Sequence, residues 1–318
     1  MYVSKIIEEA YCLKVIGLIK VSQKVYKVKC NEGFFCLKFI ENSNLTVIFD
    51  HIESLHLECF LKVIKNVNHQ AITIYEDKMF YLSRWIKEDN MIVKELKLKF
   101  YYECLAYLHS KTFFNYSASK SFFKQQIEDL ERIIHERKAY YNELMNNFET
   151  MIYKSPTGWM FVLNYHKIEC CLKNALEILD CYRDYVRNLD TIRLCLTYNN
   201  FNYAHIMMKE GKLISFDHIK INLCIYDIYN MYQKIPELIF DFDVILDSYF
   251  CKLKLLKEEK LLLRCLLHVV PIIKLEHDEI NNIIVMSRLL YYLDSISSLN
   301  KKLSMSSNFE NVLKKVKH

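Results

Sequence analysis

Four glycines and three prolines are all that punctuate a chain of 318 residues. These are the residues that break helices and strands, so their scarcity favours long, regular, mostly helical elements. It also removes the raw material for a glycine-rich phosphate loop, in which backbone N–H groups must come close to an anion. At 52% hydrophobic and 25% charged residues, the chain can bury a sizeable core and lacks the composition of a disordered segment.

The formal charge of +5 is small for this length and rests on scattered lysines. The pairs Lys97/Lys99 and Lys252/Lys254 alternate with apolar residues and read as solvated faces, so no nucleic-acid partner is expected. Twelve cysteines are spread singly, apart from the adjacent Cys170 and Cys171. No CxxC pair occurs, so they read as reduced core thiols of a cytosolic protein rather than a zinc site. The first residues, MYVSKIIEEAYCLK, carry charge throughout and contain no apolar core, so no secretory signal is expected. Apolar stretches are interrupted by charge too early for a membrane span.

Periodicity divides the chain into a small β-rich lobe, residues 1–88, and a larger, mainly helical lobe, residues 89–318, with a connector near Trp85 to Asn90. Val25–Cys30 and Phe34–Ile40 alternate on either side of Asn31-Glu32-Gly33, which predicts a hairpin. Apolar residues three and four apart predict a helix from about Val47 to Val67. Short strands are expected at Ala71–Tyr75 and Met79–Trp85, with Glu76-Asp77-Lys78 as the turn between them. Helices are expected at Lys94–His109, Phe122–Asn147 and Trp159–Arg187, the last two within a helical insert of about 118–190. A β-rich island follows at Leu194–Met208 and Leu213–Phe216, joined across Glu210-Gly211. From Asp227 to about Leu303 the pattern is helical again, and Lys301–His318 reads as a frayed tail. The tyrosines and phenylalanines at helical spacing, Phe100, Tyr101, Tyr107, Tyr140, Tyr141 and Phe148, read as core or interface rather than as a base-stacking platform.

Within this order, Lys38 ends the first hairpin just before a helix that carries Glu53 and, further on, Glu58. Leu105-Ala106-Tyr107-Leu108-His109 resembles the "LAxLH" helix of the aminoglycoside phosphotransferase superfamily. Leu196 to Met207, LTYNNFNYAHIM, resembles its catalytic loop, and Lys212 to Asp217, KLISFD, with Tyr226-Asp227-Ile228, resembles its "IDFD…YDL" segment. The stretch from Tyr153 to Trp159 with its following helix resembles the insert of the spore-coat (CotS/YsxE-type) branch. The resemblance spans roughly residues 14 to 295, and its weight lies in the order and spacing of the motifs. It implies an α+β, two-lobed protein-kinase-like fold of the aminoglycoside/choline phosphotransferase type. It also implies a nucleotide lysine at Lys38, paired with Glu53 or Glu58, and a hinge at Trp85.

On this alignment Tyr198 stands at the catalytic-loop histidine and Asn200 at the catalytic aspartate. His205 stands at the metal-binding asparagine and Ser215 at the metal-binding aspartate. Asparagine is isosteric with aspartate but cannot accept the proton of an attacking hydroxyl, a loss of about 10²–10⁴ in rate. An imidazole and a hydroxyl are poor substitutes for the hard oxygens that magnesium takes. The turn Val21-Ser22-Gln23 supplies no glycine for close approach to phosphate. Asn199 and Asn200 also suit a plain hairpin turn, and His205 a plain loop position. Asp217 stays open between an ordinary loop acid and, with His205, a displaced divalent-cation ligand.

The resemblance therefore implies a non-catalytic, pseudokinase-like protein of the bacterial endospore coat, with other coat proteins as partners and no cofactor. Synthesis in the mother-cell cytoplasm followed by incorporation into the coat is the matching location. The alternative is an ATP- and Mg²⁺-dependent small-molecule phosphotransferase with rearranged metal ligands.

Overall fold

The computed structural model of the protein describes residues 2–41, 45–76, 78–87, 93–232 and 242–316. The chain opens with α1 (Tyr2–Tyr11), β1 (Val15–Lys20), β2 (Val25–Cys30), β3 (Gly33–Ile40) and α2 (Leu45–Ser54). It continues through β4 (Val63–Ile64), β5 (Thr73–Tyr75), β6 (Lys78–Arg84), α3 (Lys94–Thr112) and β7 (Phe114–Ser117). Two long helices follow, α4 (Lys120–Thr150) and α5 (Pro156–Val186), then β8 (Thr191–Thr197), β9 (Ile206–Met207), β10 (Lys212–Leu213) and β11 (Lys220–Asn222). The rest is helical: α6 (Ile225–Tyr232), α7 (Phe242–Phe250), α8 (Lys257–His268) and α9 (Glu279–Val316). An antiparallel sheet runs in the order β1-β2-β3-β6-β4, with β5 also on β6, and a second runs β11-β8-β7. None of the described helices is long and apolar enough to cross a membrane.

Two compact units form: residues 1–111 with 198–220, and residues 112–197 with 221–318. The lobe boundary expected at residue 88, with the end of its connector, lies outside the described residues, as does Asp77 of the expected turn.

In the first unit the expected hairpin forms as predicted, with Val25 opposite Lys38 and Cys30 opposite Gly33. Strand alternation then decides the site. Phe35 and Leu37 face one side, where Ile6, Ile7 and Tyr11 of α1 join Val28, Phe80 and Leu82 in a buried cluster. Lys38, with Tyr81 opposite it on β6, faces the other side. The helix α1, ten residues with three charges, is absent from the sequence reading because it is short.

The helix expected at Val47–Val67 is a correction: α2 ends at Ser54. His56 takes a left-handed backbone (φ 51), which stops the helix. The chain then turns at Leu57–Phe60, and Val63 and Ile64 pair with Ser83 and Leu82 on β6. The apolar spacing beyond residue 54 reflects burial of Leu57 (4% exposed) and Phe60 (2% exposed) in a turn.

The second unit is built on α5. Ser155 caps it by accepting from Gly158 N at 3.2 Å, and Pro156 sits where a helix needs no donor. Its buried stripe, Phe161, Ile168, Leu172, Ala175, Leu179 and Val186, keeps helical spacing and packs against α4, α8 and α9. The irregular run between α8 and α9 is tied to α4 by Tyr140, whose hydroxyl donates to Ile273 O at 2.5 Å, and by Tyr141, which donates to Pro271 O. The backbone stays helical past Lys301 to Val316, where the sequence predicts a frayed tail.

Candidate functional site

The first unit brings Lys38, His205, Ser215 and Asp217 to one cleft, through a short hairpin. Strands β9 and β10 pair Met207 with Lys212 and Ile206 with Leu213. Gly211 (φ 61) closes their turn in the left-handed region, with its N–H on Met208 O at 3.0 Å. The hairpin is bound in turn to the segment after α2: Leu61 N donates to Leu213 O at 3.0 Å, and Leu213 N to Cys59 O at 2.7 Å. This anchoring places the following residues, Ser215 to Asp217, beneath β3.

There Lys38 Nζ lies 2.5 Å from Asp217 Oδ1 and 2.8 Å from Ser215 Oγ. Both charged side chains are nearly buried, at 12% and 10% exposure. The partner expected for Lys38 is therefore corrected. Glu53 reaches Lys65 at 2.8 Å. Glu58 lies past the end of α2 and receives Lys212 through its backbone carbonyl. Asp217 also touches His218 at 3.5 Å. Burial, together with the negative charge of Asp217, holds the Tyr81 phenol well above its ordinary range. Burial likewise pushes the Cys36 thiol up to about 11, against the opposing pull of Lys38.

Tyr198 and Asn200 have structural work here. Tyr198 is fully buried and donates its hydroxyl to Ile214 O. Asn200 Nδ2 donates to Ser215 O at 2.7 Å. Two consecutive carbonyls just before Asp217 are thus held by the side chains of Tyr198 and Asn200. Ser215 itself sits at φ 61, a left-handed conformation that a residue with a Cβ adopts only when held there. His205 Nδ1 shares a hydrogen bond with Asn200 O at 3.1 Å; since the carbonyl can only accept, Nδ1 carries the proton. Phe216, next to Asp217, packs edge-on against Phe49 (4.9 Å) and Phe60 (5.8 Å).

The cleft has a volume of about 760 Å³ and is lined among others by Gln23, Lys24, Lys38, His205, Asp217 and His218. The Lys38 head is engaged by Asp217 and Ser215. The N–H groups of Val21 and Ser22 both turn back onto Val25 O, at 2.9 and 3.1 Å. Among the described residues no three His, Cys, Asp or Glu side chains converge on one point. Trp85, expected at the hinge, directly follows β6, with its N–H on Phe34 O at 2.9 Å and Lys27 Nζ 4.9 Å above its ring. The residues that carry this arrangement were named from the sequence, but their bonding to one another was not. A donor side chain at 200 facing a carbonyl fifteen residues later leaves no mark in local pattern.

No protein-family model matches the sequence, and no curated protein matches it significantly. Solved structures do match. An aminoglycoside phosphotransferase from Alicyclobacillus acidocaldarius superposes with a TM-score of 0.65 at 8% identity, over 94% of this chain and 95% of that one. The AMP-bound complex of a spectinomycin phosphotransferase gives 0.54 at 9% identity, over 96% and 92%. The complex of that enzyme with ADP and spectinomycin gives 0.53 at 10% identity, over 93% of each chain. Likeness at such identities is likeness of fold, and the fold is the kinase-like one of these phosphotransferases, with an antiparallel sheet towards the N-terminus and helices beyond it.

Proposed function

We propose that this chain is a non-catalytic relative of the kinase-like phosphotransferases that acts through protein–protein contacts in assembling the bacterial endospore coat. The observation that carries the first half is the Lys38–Asp217 pair, which turns the expected nucleotide lysine into an internal partner. Tyr198 and Asn200 add to it, since residues that pin the Ile214 and Ser215 carbonyls serve the fold where a phosphotransferase needs a base. The coat setting rests on the sequence resemblance to the CotS/YsxE-type branch. It entails synthesis in the mother-cell cytoplasm, incorporation into the coat, other coat proteins as partners, and no requirement for ATP or magnesium.

Two measurements test the two halves. A nucleotide held tightly by the folded chain raises the melting temperature by mass action. Millimolar ATP with Mg²⁺ is expected to leave it unchanged, and a clear rise abolished by Lys38→Ala, together with phosphoryl transfer by the purified chain, overturns the non-catalytic reading. A fluorescent fusion expressed in a spore-forming host is expected to end in the coat, and a fusion that stays in the mother-cell cytoplasm overturns the coat reading.

A second reading, an ATP-dependent phosphotransferase with rearranged metal ligands, is favoured by one observation. Lys38, Asp217, His205 and His218 line the same cleft. It requires the ion pair to open, and it predicts product from the purified chain that is lost in Asp217→Ala.

A further inference from the structure

The second unit contains a cavity of about 1150 Å³, larger than the first unit's cleft and untouched by its reading. Tyr116, Phe122, Tyr226, Tyr229 and Tyr292 contribute aromatic surface to its wall. Much of the polar wall is already engaged within the fold. Gln126 Oε1 accepts from Tyr182 at 2.7 Å, and the Tyr292 hydroxyl donates to Leu267 O at 2.9 Å. Asp129, the acidic lining residue, is held by Arg132 at 3.3 Å and Gln125 at 3.2 Å.

Arg137 differs. It is the basic side chain among the described lining residues, and its Nε is buried with no hydrogen-bond partner in the described structure. A buried donor without an acceptor is unfavourable, and more so on a charged group. A guanidinium also presents paired N–H donors that match a carboxylate or phosphate. The volume is ample for a small organic molecule, and aromatic walls with one oriented polar group are how such molecules are held.

We propose that this cavity binds a small organic anion, a carboxylate or phosphate carried on an aromatic or otherwise apolar body. Arg137 receives the anionic head, and the tyrosine- and phenylalanine-lined wall covers the body. The assignment is independent of how the first unit's cleft is read, and either can fail without the other.

The test uses the full chain with 8-anilinonaphthalene-1-sulfonate as a fluorescent organic anion. Saturable binding is expected, weakened about tenfold or more in Arg137→Gln, equivalent to about 1.4 kcal/mol, and less in Arg137→Lys. Benzoate or phenyl phosphate is expected to displace the probe, the stronger of the two identifying the head group, whereas benzylamine is not. Unchanged probe affinity in a natively folded Arg137→Gln chain overturns the proposal, as does equal displacement by benzylamine. Should Arg137→Gln fail to fold, Ile272→Trp narrows the cavity from its half-exposed rim, and full probe binding in that variant also overturns it.

Discussion

Asn200 donates its side-chain amide to the backbone carbonyl of Ser215 at 2.7 Å, and Ser215 stands in the left-handed region that this bond helps to hold. An aspartate at the same place would set an acceptor against an acceptor. Asn200→Asp is therefore expected to destabilise the fold by about 1–3 kcal/mol, somewhat more than Asn200→Ala. The loss should shrink as pH falls into the carboxylate range, because the protonated acid can donate again. Urea unfolding of both variants at pH 7 and pH 4 checks this, and an Asn200→Asp chain as stable as wild type contradicts it.

The Lys38–Asp217 pair carries the second expectation. At 2.5 Å and about a tenth exposed on each side, it is nearly desolvated, and removing one member leaves the other charge buried alone. Lys38→Met and Asp217→Asn are each expected to cost about 3–5 kcal/mol, with the double variant well short of their sum. Asp217→Asn also releases the ammonium, so ATP in EDTA should raise its melting temperature while leaving wild type unmoved. Additive losses in the double variant would falsify the pairing.

How far this was legible in the sequence depends on how local the cause is. The β2–β3 hairpin was, because alternation and the turn at Asn31–Gly33 lie within sixteen residues of one another. Of the positions named from the resemblance, His205 and Ser215 line one cleft with Lys38, whereas Glu53, named as its partner, reaches Lys65. The overrun of α2 to Val67 was a misreading of period: Leu57, Phe60 and Ile64 keep helical spacing, while His56 at φ 51 turns the chain towards β6. Strand β4, Val63–Ile64, exists because β6 is beside it, which no window of residues can reveal. The partner of Lys38 was missed for the same reason, since Asp217 comes to it only through the tie between Cys59–Leu61 and Leu213.

His268 supplies a pH dependence. It is buried (3% exposed), its Nδ1 lies 2.7 Å from Arg264 O, and burial holds its pKa below the ordinary 6.5. Between the lowered folded value and 6.5 the unfolded chain binds more protons than the folded one, so stability rises with pH through that window and is lost as pH falls through it. His268→Gln should flatten this part of the profile. Urea midpoints between pH 5 and 7 that keep the wild-type slope in the variant would exclude His268 as its source.

Gly158 sets helix propensity against packing. It lies in the first turn of α5, where alanine would ordinarily favour the helix by up to about 1 kcal/mol. A Cβ built there meets Phe148 Cδ1 at 2.9 Å and Cε1 at 3.2 Å, and Phe148 is itself buried at 7% exposure against Phe161. The ring cannot swing aside without opening the α4–α5 core, and overpacking of this kind costs about 1–3 kcal/mol. Packing should win, so Gly158→Ala is expected to lower the thermal midpoint. Gly17→Ala, where the added carbon meets nothing within 4 Å, carries no such clash and serves as the control. A Gly158→Ala chain that melts at or above wild type would show that Phe148 yields, and that helix propensity decides the sign.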